Sequence, residues 1–372
     1  MIESMVLALY RKYRPKKLND LLGQDASIEI LQNAAKLDRL GQAYLFYGPR
    51  GTGKTSSARL VAKLLNCEKR HVDENFRSLG EPCNECRSCR EIETANSLDV
   101  IEIDAASNRG IEEIRNLKEN IKSAPAGSKY KVYIIDEAHM LTGPAFNALL
   151  KTLEEPPRHA AFILATTEYE KLPATITSRT QRFLMKKIAK AKIVEKLSMI
   201  AKVEKISITP EALELIASAG EGSLRDAESL LDQLSSLEKK IDLDAAEKLL
   251  GRVGLKKVEE LAAYIVHKDT KGALSHLISV SEEGHNLVQL TKDLIHYLRK
   301  TLTIKLDPEL ERTLELELTK DEIARMKKIA EKADEKFLVI IIRSLIRAYS
   351  EMRYSPFAMV PLEIALVEEL SK

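Results

Sequence analysis

The sequence predicts an α/β domain built on a parallel five-stranded sheet, followed by two domains made only of helices. Three observations carry that expectation. Five short apolar runs alternate with amphipathic helical patterns over residues 1–187, and no comparable run is read as a strand after about 188. A glycine-rich stretch, GPRGTGKT at 48–55, directly follows one run and opens a helical pattern. At 372 residues the chain is long enough for two or three separate cores.

The runs are AYLFY (43–47), DVIEI (99–103), KVYII (131–135), AFILAT (161–166) and RFLM (182–185). Each is too short for a helix and rich in β-branched or aromatic residues, as strands buried on both faces are. Alternation with helices puts them in a parallel sheet covered on both sides. Phe146, Leu149, Leu150 and Leu153 fall at i, i+3, i+4 and i+7, so they share one helix face. Thr142 is the expected cap of that helix, Pro144 lies in its first turn, and Pro156-Pro157 close it. Further on, Thr209-Pro210 starts a helix and Gly220–Gly222 break one. KFLVIIIRSLIRAY (336–349) and MVPLEIALVEEL (359–370) read as the last two helices. The expected domains are therefore 1–187, 188–253 and 254–372.

Composition fits a soluble globular protein, with 44% hydrophobic and 31% charged residues. A net charge of +2 leaves any nucleic-acid affinity to local patches. No apolar run reaches the ~18–20 residues that span a bilayer, so no membrane partner is expected. In MIESMVLALYRKYRP the charges follow the apolar stretch, which makes a poor export signal. A cytoplasmic protein is expected, with its four cysteines reduced.

GPRGTGKT matches G-x-x-x-x-G-K-[ST] at every fixed position, and its helix carries Ala58, Val61, Leu64 and Leu65 as an apolar stripe. Gly48, Gly51 and Gly53 let the backbone curl so that successive N–H groups face phosphate, at the positive end of a helix dipole. The expected ATP cradle runs through Gly48, Pro49, Arg50, Gly51, Thr52, Gly53, Lys54, Thr55 and Ser56. Lys54 reaches the β- and γ-phosphates there, and Thr55 offers its hydroxyl to Mg²⁺. Asp136 and Glu137 end an apolar strand, where open α/β sheets present their ligand crevice. Asp136 is placed to hold Mg²⁺ through water, and Glu137 to polarise the attacking water.

Cys83, Cys86 and Cys89 form C-x-x-C-x-x-C, with Cys67 sixteen residues upstream. Four thiolates suit a tetrahedral metal, and Zn²⁺ folding the 67–89 insert is the expectation. An iron–sulfur cluster is the alternative, although the Cys-Pro ending of one familiar cluster run is absent.

Together these pieces resemble the AAA+ ATPase subunits of bacterial clamp loaders, the gamma/tau family of DNA polymerase III. The resemblance extends over nearly the whole chain. It rests on RKYRP (11–15), LLGQD (21–25), the phosphate loop, the four cysteines, IDAASN (103–108) and YIIDEAHML (133–141). FNALLKTLEEPP (146–157), LATTE (164–168), SRT (178–180) and GSLRDA (222–227) extend it.

The resemblance implies an AAA+ core, a helical lid over 188–253 and a helical collar over 254–372. It implies that Arg179 acts in trans as an arginine finger on a neighbouring subunit's ATP; Thr180 stands where the family usually has cysteine. Thr167 looks like the first sensor residue, with Thr166 its rival, and Arg225 like the second. Arg11, in RKYRPKK (11–17), would lie beside the nucleotide. Ser107, Asn108, Arg109 and Arg115 would meet a DNA backbone, as positive charge and a helix start can without reading sequence. The implied partners are delta and delta prime subunits, further copies of the same chain, a sliding clamp and primer-template DNA. The implied activity is ATP-driven opening and loading of that clamp. Two other readings stand beside it: a stator-like subunit that does not hydrolyse ATP, and a different AAA+ DNA motor such as a branch-migration motor. The family's longer form adds domains beyond the last helix read here.

Overall fold

All five apolar runs enter one sheet. The computed structural model describes residues 7–371 apart from 109, 111–116, 118, 238–239, 251–253, 308, 310–313, 315–317 and 356. The strands are β1 (Ala43–Tyr47), β2 (Val100–Asp104), β3 (Lys131–Asp136), β4 (Ala160–Thr166) and β5 (Gln181–Leu184), in the spatial order β2-β3-β4-β1-β5. Each neighbouring pair is parallel; β1, β3 and β4 are largely buried, whereas the edge strands β2 and β5 are mostly half-buried or exposed, so the expectation of burial on both faces holds for the three central strands only. Pleating sends Tyr44, Phe46, Val132, Ile134 and Ile163 into one core and Leu45, Tyr133, Ile135, Phe162 and Leu164 into the other.

The first core is closed by α1 (Asp25–Lys36) and α2 (Lys54–Asn66), whose Ala58, Val61, Leu64 and Leu65 are buried as expected. Between α2 and β2 the cysteine insert carries a short helix, α3 (Arg87–Glu93). The second core takes Phe146, Leu149 and Leu153 from α4 (Gly143–Glu154), while Leu150 is only half-buried. Thr142 stands at the N-cap position of α4, but its side chain makes no capping hydrogen bond. A short helix, α5 (Ala174–Thr177), precedes β5.

The backbone divides into two units, residues 1–188 and 189–372. The second holds α6 (Lys190–Glu204), α7 (Pro210–Ala219), α8 (Leu224–Leu237) and α9 (Leu243–Leu250). It continues with α10 (Leu255–Val266), α11 (Thr270–Glu282), α12 (Leu287–Leu306), α13 (Lys320–Lys332), α14 (Glu335–Met352) and α15 (Met359–Leu370). Strands do not stop entirely at 188, however. Ser207–Ile208 and Lys240–Ile241 pair in parallel, and Thr209 N–H donates to Ile241 O at 3.0 Å. Two-residue strands leave no periodic signal, because the ladder is held by partners some thirty residues away. Thr209 does cap α7, accepting from Ala212 N–H at 3.3 Å.

Leu294, Leu298, Leu338, Ile341, Leu345 and Leu366 centre the core shared by α12, α14 and α15. Lys190, at the start of α6, forms a buried ion pair with Glu322 of α13. Glu322 also accepts from Thr319 N–H at 2.7 Å, closing a capping box at the start of α13. Glu228 of α8 is buried with Oε1 unpartnered, and burial pushes its carboxyl up to about 8 against the pull of Lys196.

Glu228 therefore keeps its proton in the fold while the unfolded chain loses it near 4.5. Its contribution to stability is complete below that pH and is lost as pH rises towards about 8. Glu228→Gln is expected to flatten this decline and to raise stability at pH 8 by ~1 kcal/mol or more, since one pKa unit is worth ~1.4 kcal/mol. Chemical unfolding of the two proteins between pH 5 and about 8.5 checks it.

Candidate nucleotide site and cysteine cluster

The carboxyl ends of β1, β4 and β3 lie side by side because β4 is hydrogen-bonded to both neighbours. The phosphate loop leaves β1, Thr166 and Thr167 leave β4, and Asp136 and Glu137 leave β3. Gly48 N–H donates to Thr166 O at 3.3 Å, so the loop is joined to β4 from its first residue.

Gly48 and Gly53 have φ of +141° and +102°, in the region that favours glycine. A Cβ on Gly48 would also stand 2.1 Å from Met185 O. The motif's fixed glycines are thus a steric demand of this loop. Thr52 and Lys54 are buried while Pro49 and Arg50 are exposed. Lys54 Nζ donates to Gly48 O at 3.0 Å and Pro49 O at 2.8 Å, and Thr52 Oγ1 donates to Pro49 O at 2.9 Å. Gly51, Thr55 and Ser56 complete the turn into α2, half-buried. Burial lowers the Lys54 pKa, and the nearby Glu137 and Asp136 carboxylates act against that shift. The ammonium is therefore short of solvation in a site whose geometry suits anionic phosphate.

Thr55 Oγ1 donates to Asp136 Oδ2 at 2.7 Å, bringing together the two oxygen donors expected to serve Mg²⁺. Glu137 has left-handed backbone (φ 46°), and its N–H donates to Asp136 Oδ1 at 2.9 Å. Its Oε2 accepts from Thr167 Oγ1 at 2.9 Å and Thr167 N–H at 3.2 Å. Of the two candidate threonines, Thr167 touches Glu137; Thr166 Oγ1 is turned to His139 Nδ1 at 2.9 Å.

Other expected site residues have different surroundings. Arg179 Nη1 donates to Thr175 O at 2.8 Å, and its Nη2 pairs with Glu154 at 2.5 Å. Arg11 is exposed on the short helix Leu9–Lys12, and its Nε donates to Tyr10 Oη at 3.1 Å. Arg225 lies in the second unit, in the first turn of α8. Ser107 and Asn108 are exposed, bonded to Asp104 at 2.8 and 3.2 Å; Arg109 and Arg115 fall outside the described residues. Sequence reasoning singled out neither Glu154 nor His139. His139 had a visible signal, an imidazole two residues after Glu137.

The four cysteine Sγ atoms lie within 4.8 Å of one another, and Cys83 Sγ is 3.9 Å from Cys89 Sγ. A tetrahedron of ~2.3 Å Zn–S bonds requires sulfurs ~3.8 Å apart, so the donor set fits zinc. Backbone N–H groups of Cys83, Cys86 and Cys89 point at Cys67, Cys83 and Cys86 sulfurs, respectively, at 3.3–3.5 Å.

The insert is tied to its surroundings by buried charge. Lys63 of α2 pairs with Glu93 of α3 and donates to Asn84 Oδ1 at 2.8 Å. Glu81 accepts from Leu18 N–H at 2.7 Å and Asn19 N–H at 3.1 Å, and Asn84 Nδ2 donates to Lys16 O at 2.9 Å. Any metal held by Cys67, Cys83, Cys86 and Cys89 thus steadies both α2 and the segment before α1. Chelation is expected to lower the thermal midpoint and to speed amide exchange in residues 16–19 as well as within the insert. Hydrogen exchange with and without a thiol-competitive chelator measures it; exchange confined to 67–89 would contradict the coupling.

Comparison with known proteins agrees with this architecture. Three family models match: "DNA polymerase III, delta subunit" over 23–189, "DNA polymerase III clamp loader subunit, ATPase lid domain" over 192–235, and "DNA polymerase III subunits gamma and tau domain III" over 241–370. DNA polymerase III subunit tau of Bacillus subtilis is 43% identical over 97% of this chain and 62% of its own length. The Escherichia coli tau subunit is 37% identical over 98% of this chain and 55% of its own length. The chain therefore spans little more than half the length of these relatives. The gamma subunit of Buchnera aphidicola (Schizaphis graminum) is 36% identical over 98% of both chains. A parallel five-stranded core with a phosphate loop, an ATPase lid match and a gamma and tau domain III match give the AAA+ architecture. The chain belongs to the gamma/tau family of DNA polymerase III subunits.

Proposed function

We propose that this chain is an ATP-hydrolysing motor subunit of a clamp loader, which opens a sliding clamp and releases it closed on primed DNA. The observation that carries the reading is the joining of phosphate loop, Asp136 and Glu137 across three adjacent strand ends. A subunit that only binds nucleotide has no use for Glu137 held in place by Thr167.

In this reading Gly48–Ser56 hold the ATP phosphates, with Lys54 exchanging its carbonyl partners for phosphate oxygens. Mg²⁺, held by Thr55 and Asp136, supplies charge neutralisation on the triphosphate. Glu137 polarises the attacking water, and Thr167 fixes its carboxylate. Arg179 serves a neighbouring copy's ATP, which requires it to leave Glu154; Arg225 of the lid is the second sensor. Arg11 lies near the nucleotide. Zn²⁺ on Cys67, Cys83, Cys86 and Cys89 is structural. Residues 254–372 form the collar that joins copies of this chain to delta and delta prime subunits. Ser107, Asn108, Arg109 and Arg115 track primer-template DNA without reading its sequence. As a replication machine it works in the cytoplasm; no described helix is long and apolar enough to cross a membrane.

ATP hydrolysis by the chain reconstituted with delta, delta prime and clamp tests this. Primed DNA with clamp is expected to stimulate the rate, and blunt duplex is not. Lys54→Ala and Arg179→Ala should each lower the stimulated rate by about 100-fold or more, given what phosphate lysines and arginine fingers contribute. A rate indifferent to clamp and primer, from an intact assembly, would assign the motor a different task. Absence of hydrolysis in that assembly would make it a stator.

A further inference from the structure

The four cysteines come from two pieces of chain. Cys67 closes α2 as its C-cap and is buried, while Cys83, Cys86 and Cys89 lie just before and within α3. Three donors within seven residues can be gathered by local backbone, as the N–H contacts of Cys86 and Cys89 with neighbouring sulfurs show. The fourth donor is sixteen residues upstream of Cys83, so its approach depends on what ties the end of α2 to the start of α3. Glu68, which follows Cys67, and Ser88, which precedes Cys89, make such a tie. Glu68 Oε1 accepts from Ser88 N–H at 3.2 Å and from the Ser88 hydroxyl at 3.2 Å.

Ser88 N–H belongs to the first turn of α3, where no carbonyl of the helix can serve it, and Ser88 is buried. Leaving that donor without an acceptor would be costly. Glu68 itself is exposed, and solvation alone would let its side chain turn outwards. Its charge is no reason for the placement either. Four thiolates around a divalent ion already leave an excess of negative charge, which a nearby carboxylate opposes. What the carboxylate offers is geometry: one oxygen joins the two pieces of chain, each at a residue next to a donor cysteine. Cys83 N–H adds a contact with Cys67 Sγ at 3.4 Å.

We propose that Glu68 is a positioning residue of the metal centre: by accepting both hydrogen bonds from Ser88 it holds Cys67 against Cys83, Cys86 and Cys89 and slows loss of the ion. The inference rests on the reading that these four cysteines hold Zn²⁺. Glu68 touches no metal in this role and acts through Ser88, as residues that orient ligands from behind do.

Three substitutions in the full chain separate geometry from charge. Glu68→Ala removes the acceptor, Glu68→Gln keeps an acceptor oxygen without the charge, and Ser88→Ala loses the hydroxyl but keeps the N–H. Each protein is loaded with Zn²⁺, and its release to an excess of a chromophoric chelator is followed, with affinity measured by competition. Glu68→Ala is expected to weaken zinc binding about 10- to 100-fold and to release the ion faster, while Glu68→Gln stays within about threefold of the native chain. Ser88→Ala should fall between them. Native affinity for Glu68→Ala, or equal losses for Ala and Gln, would overturn the proposal; tighter binding by both would show that only the charge matters and overturn it too. If Glu68→Ala fails to fold, Ser88→Ala decides: release about threefold faster or more supports the proposal, and anything slower overturns it. The absorption of the native chain with Co²⁺ in place of Zn²⁺ keeps the two readings apart. If the native chain takes up neither ion, the metal reading fails and the proposal with it; if it binds both and Glu68→Ala binds zinc equally well, only the role of Glu68 fails.

Discussion

Seven consecutive residues of β4, Ala160–Thr166, are buried, and the strand is hydrogen-bonded between β1 and β3. That placement sets the spacing of the site. A loop leaving β1 and acids leaving β3 would otherwise be free to separate. With β4 between them they stand about two strand spacings apart, near 10 Å. The residues leaving β4 then fill the gap: Thr166 O meets Gly48, and Thr167 meets Glu137. A buried strand, apolar but for its last residue, thus decides which chemical groups face one another.

Among the described residues, several deeply buried charges are paired with an opposite charge. Lys54 is short of water beside two carboxylates. Lys63 and Lys190 are buried with single carboxylate partners, Glu93 and Glu322. Such pairs add little net stability, because desolvation offsets their attraction, yet losing one partner is costly. Their value is in register. Lys63 fixes the cysteine insert on the phosphate-loop helix, and Lys190 fixes α6 on the capping box of α13.

The cysteine insert is short, and polar ties of this kind anchor it beside a cysteine cluster whose geometry fits a metal ion. Arg70 shows the same economy. It is 1% exposed and donates to Leu64 O, Ala35 O and Asp38, joining the insert to α1 and α2. Glu81 and Asn84, between Cys67 and Cys86, reach the segment before α1. The insert is built into the nucleotide-binding unit, not appended to it.

Much of this was legible in the chain. All five strands, the phosphate loop, the two acids and the cysteine set follow from local pattern, because β-branched runs, fixed glycines and ligand spacing act within a few residues. Their boundaries shifted by a single residue at most, as at β2, read as 99–103 and found at 100–104. The ladder of 207–208 with 240–241, the contact of Thr167 with Glu137, the Glu154 partner of Arg179 and the contact of His139 with Thr166 were not legible. Each depends on hydrogen-bonding groups 25 or more residues apart, whose meeting is set by strand order and helix packing. The sequence by itself determined which groups are available to bind phosphate and metal. Only the tertiary structure decided which of them touch, because a hydrogen bond requires ångström placement that no local periodicity specifies.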